Sequence, residues 1–185
     1  MIFEEATISS ERIYEGKILN LRRDEVTVRD GRTSYREIVE HSGGVVIAAL
    51  TADGKVPMVT QYRKAAARPT LEIPAGKLEI GEDPAAAALR ELREETGYTA
   101  AKLQRLTSAY SSIGYSTEVL HFYLATELTQ GETDFDEGEA IDVSEYPLGE
   151  LRNMAMRGEL NDAKTIVAVL MLHERFGSAD AEGNR

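Results

Sequence analysis

The stretch GKLEIGEDPAAAALRELREETGY (residues 76–98) decides how the chain reads, because it encodes one helix and loads that helix with charge. Asp83-Pro84 is a start signal: aspartate accepts from the free N–H groups of a helix N-terminus, and proline is tolerated at the first helical position. Gly97 supplies a left-handed stop. The spacing predicts a helix over 84–96, with Ala86, Leu89, Leu92 and Arg93 forming a stripe that faces a sheet. Each helical residue advances about 100°, so Glu91 and Glu95 lie about 40° apart and Glu94 sits on the adjoining ridge. Like charges at this spacing repel, and the dipole disfavours anions in the last turn; together they cost about 1 kcal/mol. A solvated acidic face is one reading. The other is a site for Mg2+ or Mn2+, which would turn the repulsion into attraction.

The segment just upstream, LEIPAG (71–76), leads into a glycine-containing loop whose backbone carbonyls can complete an oxygen-rich shell. Composition is consistent with oxygen chemistry. The 185 residues include no cysteine, which excludes disulfides, thiolate catalysis and cysteine-ligated zinc and agrees with a reducing compartment. A formal net charge of −11 argues against nucleic acid or an anionic membrane as partner, since both need a basic surface. The start MIFEEATISSER lacks the order of a secretory signal and no run of eighteen apolar residues occurs, so a cytoplasmic location is expected.

Working outward, residues 8–41 alternate in short apolar and polar steps, with Asp30-Gly31 as a hairpin turn; they read as an antiparallel sheet. VVIAAL (45–50) reads as a buried strand, and VPMVTQYR (56–63), beyond an Asp53-Gly54 turn, as its partner. TLEIP (70–74), 102–113, 118–128 and AIDVSEY (140–146) read as further strands around the loop Ser112–Thr117. Helices are expected near 148–156, ending at Gly158, and over 163–176, capped by Asp162. QGETDFDEGE (130–139) is too acidic and glycine-rich for a core element. This order indicates an α+β fold rather than a doubly wound parallel sheet. His41, His121 and His173 show no ligand spacing and read as structural or surface residues.

Gly76, five residues, Glu82, seven residues, Arg90-Glu91-Leu92, one residue, Glu94-Glu95, one residue and Gly97-Tyr98 resembles the Nudix box, GX5EX7REUXEEXGU. Seven fixed letters, each at roughly 5–7% usage, put a chance match below about one in a million. Tyr98 stands where a bulky aliphatic is usual, a change that affects packing more than chemistry. The resemblance implies the Nudix fold, a mixed β-sheet sandwiched between α-helices, and metal-dependent hydrolysis of a nucleoside diphosphate linked to another moiety. It implies Glu91 and Glu95 as main metal ligands, with Glu94 acting directly or through water and the Ala75 carbonyl adding an oxygen. It implies that Arg90 orients these carboxylates, and that Glu82 is either a peripheral ligand or a loop brace.

Over roughly residues 10–176 the chain is similar to the ADP-ribose pyrophosphatase branch of that family. The segments that carry this are YREIVEH (35–41), VTQYR (59–63), LEIPAGKLE (71–79), GYSTE (114–118), DEGEAIDV (136–143) and NDAKTI (161–166). The similarity implies cleavage of ADP-ribose to AMP and ribose 5-phosphate, with other nucleotide sugars, dinucleoside polyphosphates or NADH as alternative substrates. A nucleotide-sensing module that does not cleave is the alternative of a different class. Arg36 and Arg63 are candidates for holding pyrophosphate, because a guanidinium fork matches phosphate oxygens at two points; the alternative is arginines at the surface. Tyr115 and Glu118 complete the candidate substrate-binding set, Tyr115 either stacking on a base or packing on the sheet. Glu139 aligns with the loop glutamate that activates water, and Glu137 is the second candidate base; Glu94 belongs with the catalytic set. The branch usually carries proline where this chain has Ile113, which bears on which substrate is cut. The resemblance further implies a homodimer, with 1–42 as a dimerisation region and 43–177 as the hydrolase domain; by composition, 178–185 reads as a disordered tail.

Overall fold

A computed structural model describes residues 2–135 and 140–177. The chain divides into two compact units: one holds the chain up to Gly43 together with Ala109–Val119, the other Gly44–Ser108 and the chain from Leu120 onward.

In the first unit, β1 (Thr7–Glu15), β2 (Asn20–Thr27) and β3 (Thr33–Glu40) form an antiparallel sheet in that order. The hairpin predicted at Asp30-Gly31 joins β2 to β3. Gly31 has φ +81°, which glycine adopts without strain, and its N–H reaches the Val28 carbonyl at 2.9 Å. The 109–119 segment borders β3: the Val39 N–H donates to the Tyr115 carbonyl at 2.7 Å and the Thr117 N–H to the Val39 carbonyl at 2.9 Å. Every residue of β1 is exposed, including Ile8, Ile13 and Tyr14.

Among its described residues the second unit carries two sheets and three helices. β4 (Gly44–Ala49) is the centre of a mixed sheet ordered β7-β4-β9-β8, with β7 (Ala75–Lys77) antiparallel to it and β9 (Val119–Gln130) parallel; β8 is Tyr98–Tyr110. Both faces of β4 are covered. Val45, Ile47 and Ala49 join Ala87, Ala88 and Leu92 of α1 (Pro84–Thr96). Val46 and Ala48 join Leu148 and Leu151 of α2 (Leu148–Met156) and Ala168, Val169 and Leu172 of α3 (Ala163–Phe176). Burial on both faces is why VVIAAL reads as a continuous apolar run instead of an alternation. The result is the expected α+β arrangement, a mixed sheet between helices.

Two expectations need correction. VPMVTQYR lies in β5 (Lys55–Arg63), but β5 does not pair with β4: it is the middle of a separate antiparallel sheet, between β10 (Ile141–Pro147) and β6 (Arg68–Glu72). The Asp53-Gly54 turn closes tightly, Thr51 N–H to the Lys55 carbonyl at 2.9 Å, yet the next residue, Leu50, donates to Ala125 of β9. One edge of β4 is taken by β9 and the other by β7, so β5 has no edge of β4 to join. The stripe of α1 is also rotated: Leu92 is buried as expected, while Ala86, Leu89 and Arg93 are exposed. Ala87, Ala88, Leu92, Glu95 and Thr96 face inward instead. Alanines let the helix approach β4 closely, and the polar Glu95 shares the buried face, so apolar spacing alone points to the wrong side.

Candidate active site

The helix that carries the carboxylates is fixed at both ends. The Asp83 side chain accepts from the Ala86 N–H at 3.2 Å, and Pro84 opens the first turn. Gly97 closes it at φ +76°, its N–H on the Arg93 carbonyl at 2.8 Å. The Gly131 carbonyl would lie 2.7 Å from any Cβ at Gly97, so glycine is required there for space as well as for conformation.

Held this way, the last turn of α1 faces β7. A Cβ on Gly76 would lie 1.8 Å from Cδ of Glu91, so the Glu91 carboxylate occupies the room a side chain would need. Glu95 is buried, and its Oε2 accepts from the Ala75 N–H at 3.0 Å. Arg90 holds Glu82 with both arms of its fork, Nε at 2.9 Å and Nη2 at 3.0 Å; its Nη1 reaches Glu91 at 2.8 Å and Glu94 at 3.0 Å. These contacts, Glu82 foremost, push the Arg90 pKa further up and that of Glu82 down. The Glu82 side chain also accepts from the Glu79 N–H at 3.0 Å, which makes it a brace between the 77–83 loop and the helix. Among the described residues, no three carboxylate or imidazole side chains converge as a ready-made cation cage. The donor set nonetheless suits a hard divalent cation: three carboxylates near the end of one helix, against a strand whose glycine makes room for the Glu91 carboxylate.

The acidic loop departs from the same helix end. Gly131 N–H donates to the Gly97 carbonyl at 2.9 Å, Asp134 N–H to the Glu94 carbonyl at 3.0 Å, and Arg93 pairs with the Asp134 side chain at 3.1 Å. Both candidate bases, Glu137 and Glu139, lie outside the described residues, as does the expected tail 178–185.

Arg63, at the end of β5, grips Glu72 of β6 with Nε and Nη2, both at 2.7 Å. Glu72 is 2% exposed and also accepts from Lys164 at 2.7 Å and Thr70 at 2.6 Å. Burial alone would raise its pKa, but the Arg63 fork, the Lys164 charge and the Thr70 hydroxyl hold it at about 2. Lys164 reaches on to Asp162 at 2.9 Å, and Asp162 caps α3 by accepting from the Thr165 N–H at 3.1 Å. The fully buried Thr165 hydroxyl accepts from the Ile73 N–H at 2.9 Å. Residues 72–76 are thus anchored in turn by α3 and by α1. LEIPAG and NDAKTI are legible separately, but nothing in their periodicity joins Glu72 to Lys164, 92 positions away.

In the first unit, Arg36 is paired with Glu5 and also reaches the Ser34 hydroxyl at 3.1 Å. With Ile38, Tyr110, Ile113 and Tyr115 it lines a groove of about 400 Å³. Tyr115 and Ile113 are well exposed. Glu118 lies beside His41, 3.4 Å from Nδ1. In the second unit, Nδ1 of His121 is 2.7 Å from the Ser108 hydroxyl, and burial lowers its pKa. Tyr98 does more than pack: its hydroxyl donates to Glu145, and that bond, with burial, pushes its pKa to about 12. Among the described residues, no helix is long and apolar enough to cross a membrane.

Comparison with known proteins agrees with this geometry. A NUDIX domain model matches residues 40–169, and a nucleoside diphosphate sugar hydrolase N-terminal domain model matches residues 5–39. The chain is 45% identical over 171 residues to an ADP-ribose pyrophosphatase of Bacillus subtilis, covering 91% of this chain and 92% of the relative. It is 43% identical over 173 residues to a methanol dehydrogenase activator of Bacillus methanolicus, covering 92% and 94%. A crystal structure described as an ADP compounds hydrolase superposes with a TM-score of 0.84 over 97% of each chain; at 19% identity it speaks to the fold alone.

Proposed function

The chain belongs to the Nudix family, and from that premise we propose that it hydrolyses the pyrophosphate bond of ADP-ribose, giving AMP and ribose 5-phosphate. The observation that carries this is the seat of Glu91, Glu94 and Glu95 near the end of α1, closed against Ala75 and Gly76. Glu91, Glu95 and the Ala75 carbonyl, with Glu94 directly or through water, would hold divalent metal, Mg2+ or Mn2+. When bound, the metal neutralises charge on the phosphoryl oxygens and makes water a competent nucleophile near neutral pH. Arg90 keeps the carboxylates in place, drawing on Glu91 and Glu94 with one nitrogen while Glu82 anchors its other edge.

Arg63 and Arg36 are the residues we assign to the pyrophosphate, Tyr115 to stacking on the base and Glu118 to the remaining polar part of the substrate. In hydrolysis the water oxygen bonds to one phosphorus, the bridging P–O bond breaks, and the proton passes to a carboxylate. We assign that base to Glu139, with Glu137 as the alternative. A cytoplasmic location and a homodimer formed through residues 1–42 complete the reading, with residues 43–177 as the hydrolase domain. The exposed apolar side chains of β1 support the dimer, which light scattering tests directly.

The test of the activity is incubation with Mg2+ and ADP-ribose, followed by separation of products. AMP and ribose 5-phosphate should appear in equal amounts, and no turnover at micromolar enzyme would sink the substrate assignment. Glu95→Gln should lose roughly a thousandfold in rate while keeping its fold, because Gln can still accept from Ala75 but supplies no charge to a cation. A near-normal rate would remove Glu95 from the metal site. The methanol dehydrogenase activator among the relatives and Ile113 in the first-unit groove make the panel worth extending to NADH, nucleotide sugars and dinucleoside polyphosphates. Ranking by kcat/KM then sets the order. Tight ADP-ribose binding without cleavage, with either metal present, would favour a nucleotide sensor instead.

A further inference from the structure

Lys164 has no part in the assignments above, yet it sits in an enclosed charge network of the second unit. Its side chain is 15% exposed and that of Glu72 is 3% exposed, whereas the Arg63 side chain is 44% exposed. Glu72 therefore faces one cation inside the unit and one that opens to solvent. Arg63 spends its Nε and Nη2 edge on Glu72, which turns Nη1 away from that carboxylate.

The charges decide what Arg63 can do. Paired with Glu72 alone, Arg63 would be half of a neutral couple and offer little to an anion. Lys164 also donates to Glu72, at 2.7 Å, so the trio carries one net positive charge. Asp162 is the fourth charge of the set: it accepts from Lys164 at 2.9 Å and caps α3 through the Thr165 N–H at 3.1 Å, so with Lys164 the four side chains balance, and without it the remaining three, Arg63 among them, carry one net negative charge. Arg63 is the most exposed member of the set, and Lys164 is what neutralises the carboxylates behind it.

We propose that Lys164 is a positioning residue for substrate binding: by sharing Glu72 it leaves Arg63 held in place yet positive, and so able to bind a diphosphate. This rests on the assignment of Arg63 to the pyrophosphate. Lys164 itself touches no substrate; it acts through Glu72.

The test compares Lys164→Met, Lys164→Gln, Lys164→Arg, Thr70→Val and Arg63→Met, reading KM and kcat for ADP-ribose and the inhibition constant of inorganic pyrophosphate. Lys164→Met should raise KM and the pyrophosphate constant about tenfold and leave kcat within about threefold, since binding and not chemistry is altered. If the methionine variant does not fold, Lys164→Gln, whose amide still donates to Glu72, carries the same expectation. Lys164→Arg restores the charge and should stay within about threefold of wild type. Thr70→Val removes a bond to Glu72 but no charge, and should leave KM unchanged. Adding Lys164→Met to Arg63→Met should cost no more than Arg63→Met alone. Wild-type KM in the Lys164 variants beside a raised KM in Arg63→Met would overturn the role of Lys164 and leave that of Arg63 standing. Wild-type KM in Arg63→Met would overturn both while leaving hydrolysis intact. A Thr70→Val defect as large as that of Lys164→Gln would show packing around Glu72, not charge, to be what matters.

Discussion

Gly76 and Glu91 exclude each other's growth: the Glu91 carboxylate sits where a Cβ on Gly76 would be, 1.8 Å from Cδ. The first glycine of the box and its second glutamate are therefore one feature. A side chain at position 76 would have to push the Glu91 carboxylate, the far end of a flexible side chain, out of its place. Gly76→Ala should cost under about 1 kcal/mol of stability, because the Glu91 side chain can swing aside. Displacing Glu91 by an ångström should also lower kcat/KM by about a hundredfold. Thermal melting and steady-state kinetics on the same preparation check this; an alanine variant with wild-type activity would mean that Glu91 can shift without loss.

The base assignment divides two neighbours. Glu139→Gln should lower kcat by about two to four orders of magnitude, the range for a lost general base, with Mn2+ affinity nearly unchanged. Glu137→Gln should stay close to wild type. The reverse pattern moves the base to Glu137, and loss of Mn2+ binding in either variant would place that residue in the metal site. Electron paramagnetic resonance of Mn2+ separates binding from rate.

Much of this site is legible in the sequence because its geometry is local. Helix periodicity puts Glu91, Glu94 and Glu95 together, and Asp83-Pro84 and Gly97 set the helix bounds, which match Pro84–Thr96. Gly31, Gly54 and Gly158 likewise mark turns that need positive φ. What periodicity cannot convey is which strand edge is already taken. The Asp53-Gly54 turn looks like a hairpin, but β4 gives its edges to β7 and to the distant β9. Apolar spacing also misplaces the face of α1, since the buried side holds Ala87, Ala88 and a glutamate. The Glu72–Lys164 contact is illegible for the same reason as the β4–β9 pairing: both depend on chain segments that meet only in the folded unit.

Glu72 sets an acid limit on the fold. Its pKa is held at about 2 against an ordinary 4.5, so its contribution is present above pH 4.5 and is lost as pH falls from there towards 2. Allowing for solvent screening on the Arg63 side, the contribution is about 2–3 kcal/mol. Urea midpoints should therefore drop between pH 5 and pH 3 for the wild type. Glu72→Gln should be less stable at pH 7, because Arg63 and Lys164 lose their shared counter-charge, and its deficit should shrink over the same interval. A deficit that stays constant down to pH 3 would show that Glu72 titrates normally.

Tyr98 stands where the box favours an aliphatic, and its ring is buried among Val45, Ile47, Leu92 and Tyr123 in the core under α1. That placement brings a hydroxyl to the edge of the core, where it needs a partner, and Glu145 on β10 accepts from it. Glu145 also lies 3.7 Å from Lys55, so it keeps a counter-charge when the hydroxyl is removed. Tyr98→Phe preserves the ring packing and should cost about 1 kcal/mol in chemical denaturation. Because the bond ties the start of β8 to β10 and reaches none of Glu91, Glu94 or Glu95, kcat and KM should remain within about twofold of wild type. A tenfold fall in kcat without a larger loss of stability would instead make the Tyr98–Glu145 bond part of what holds the carboxylate turn in register.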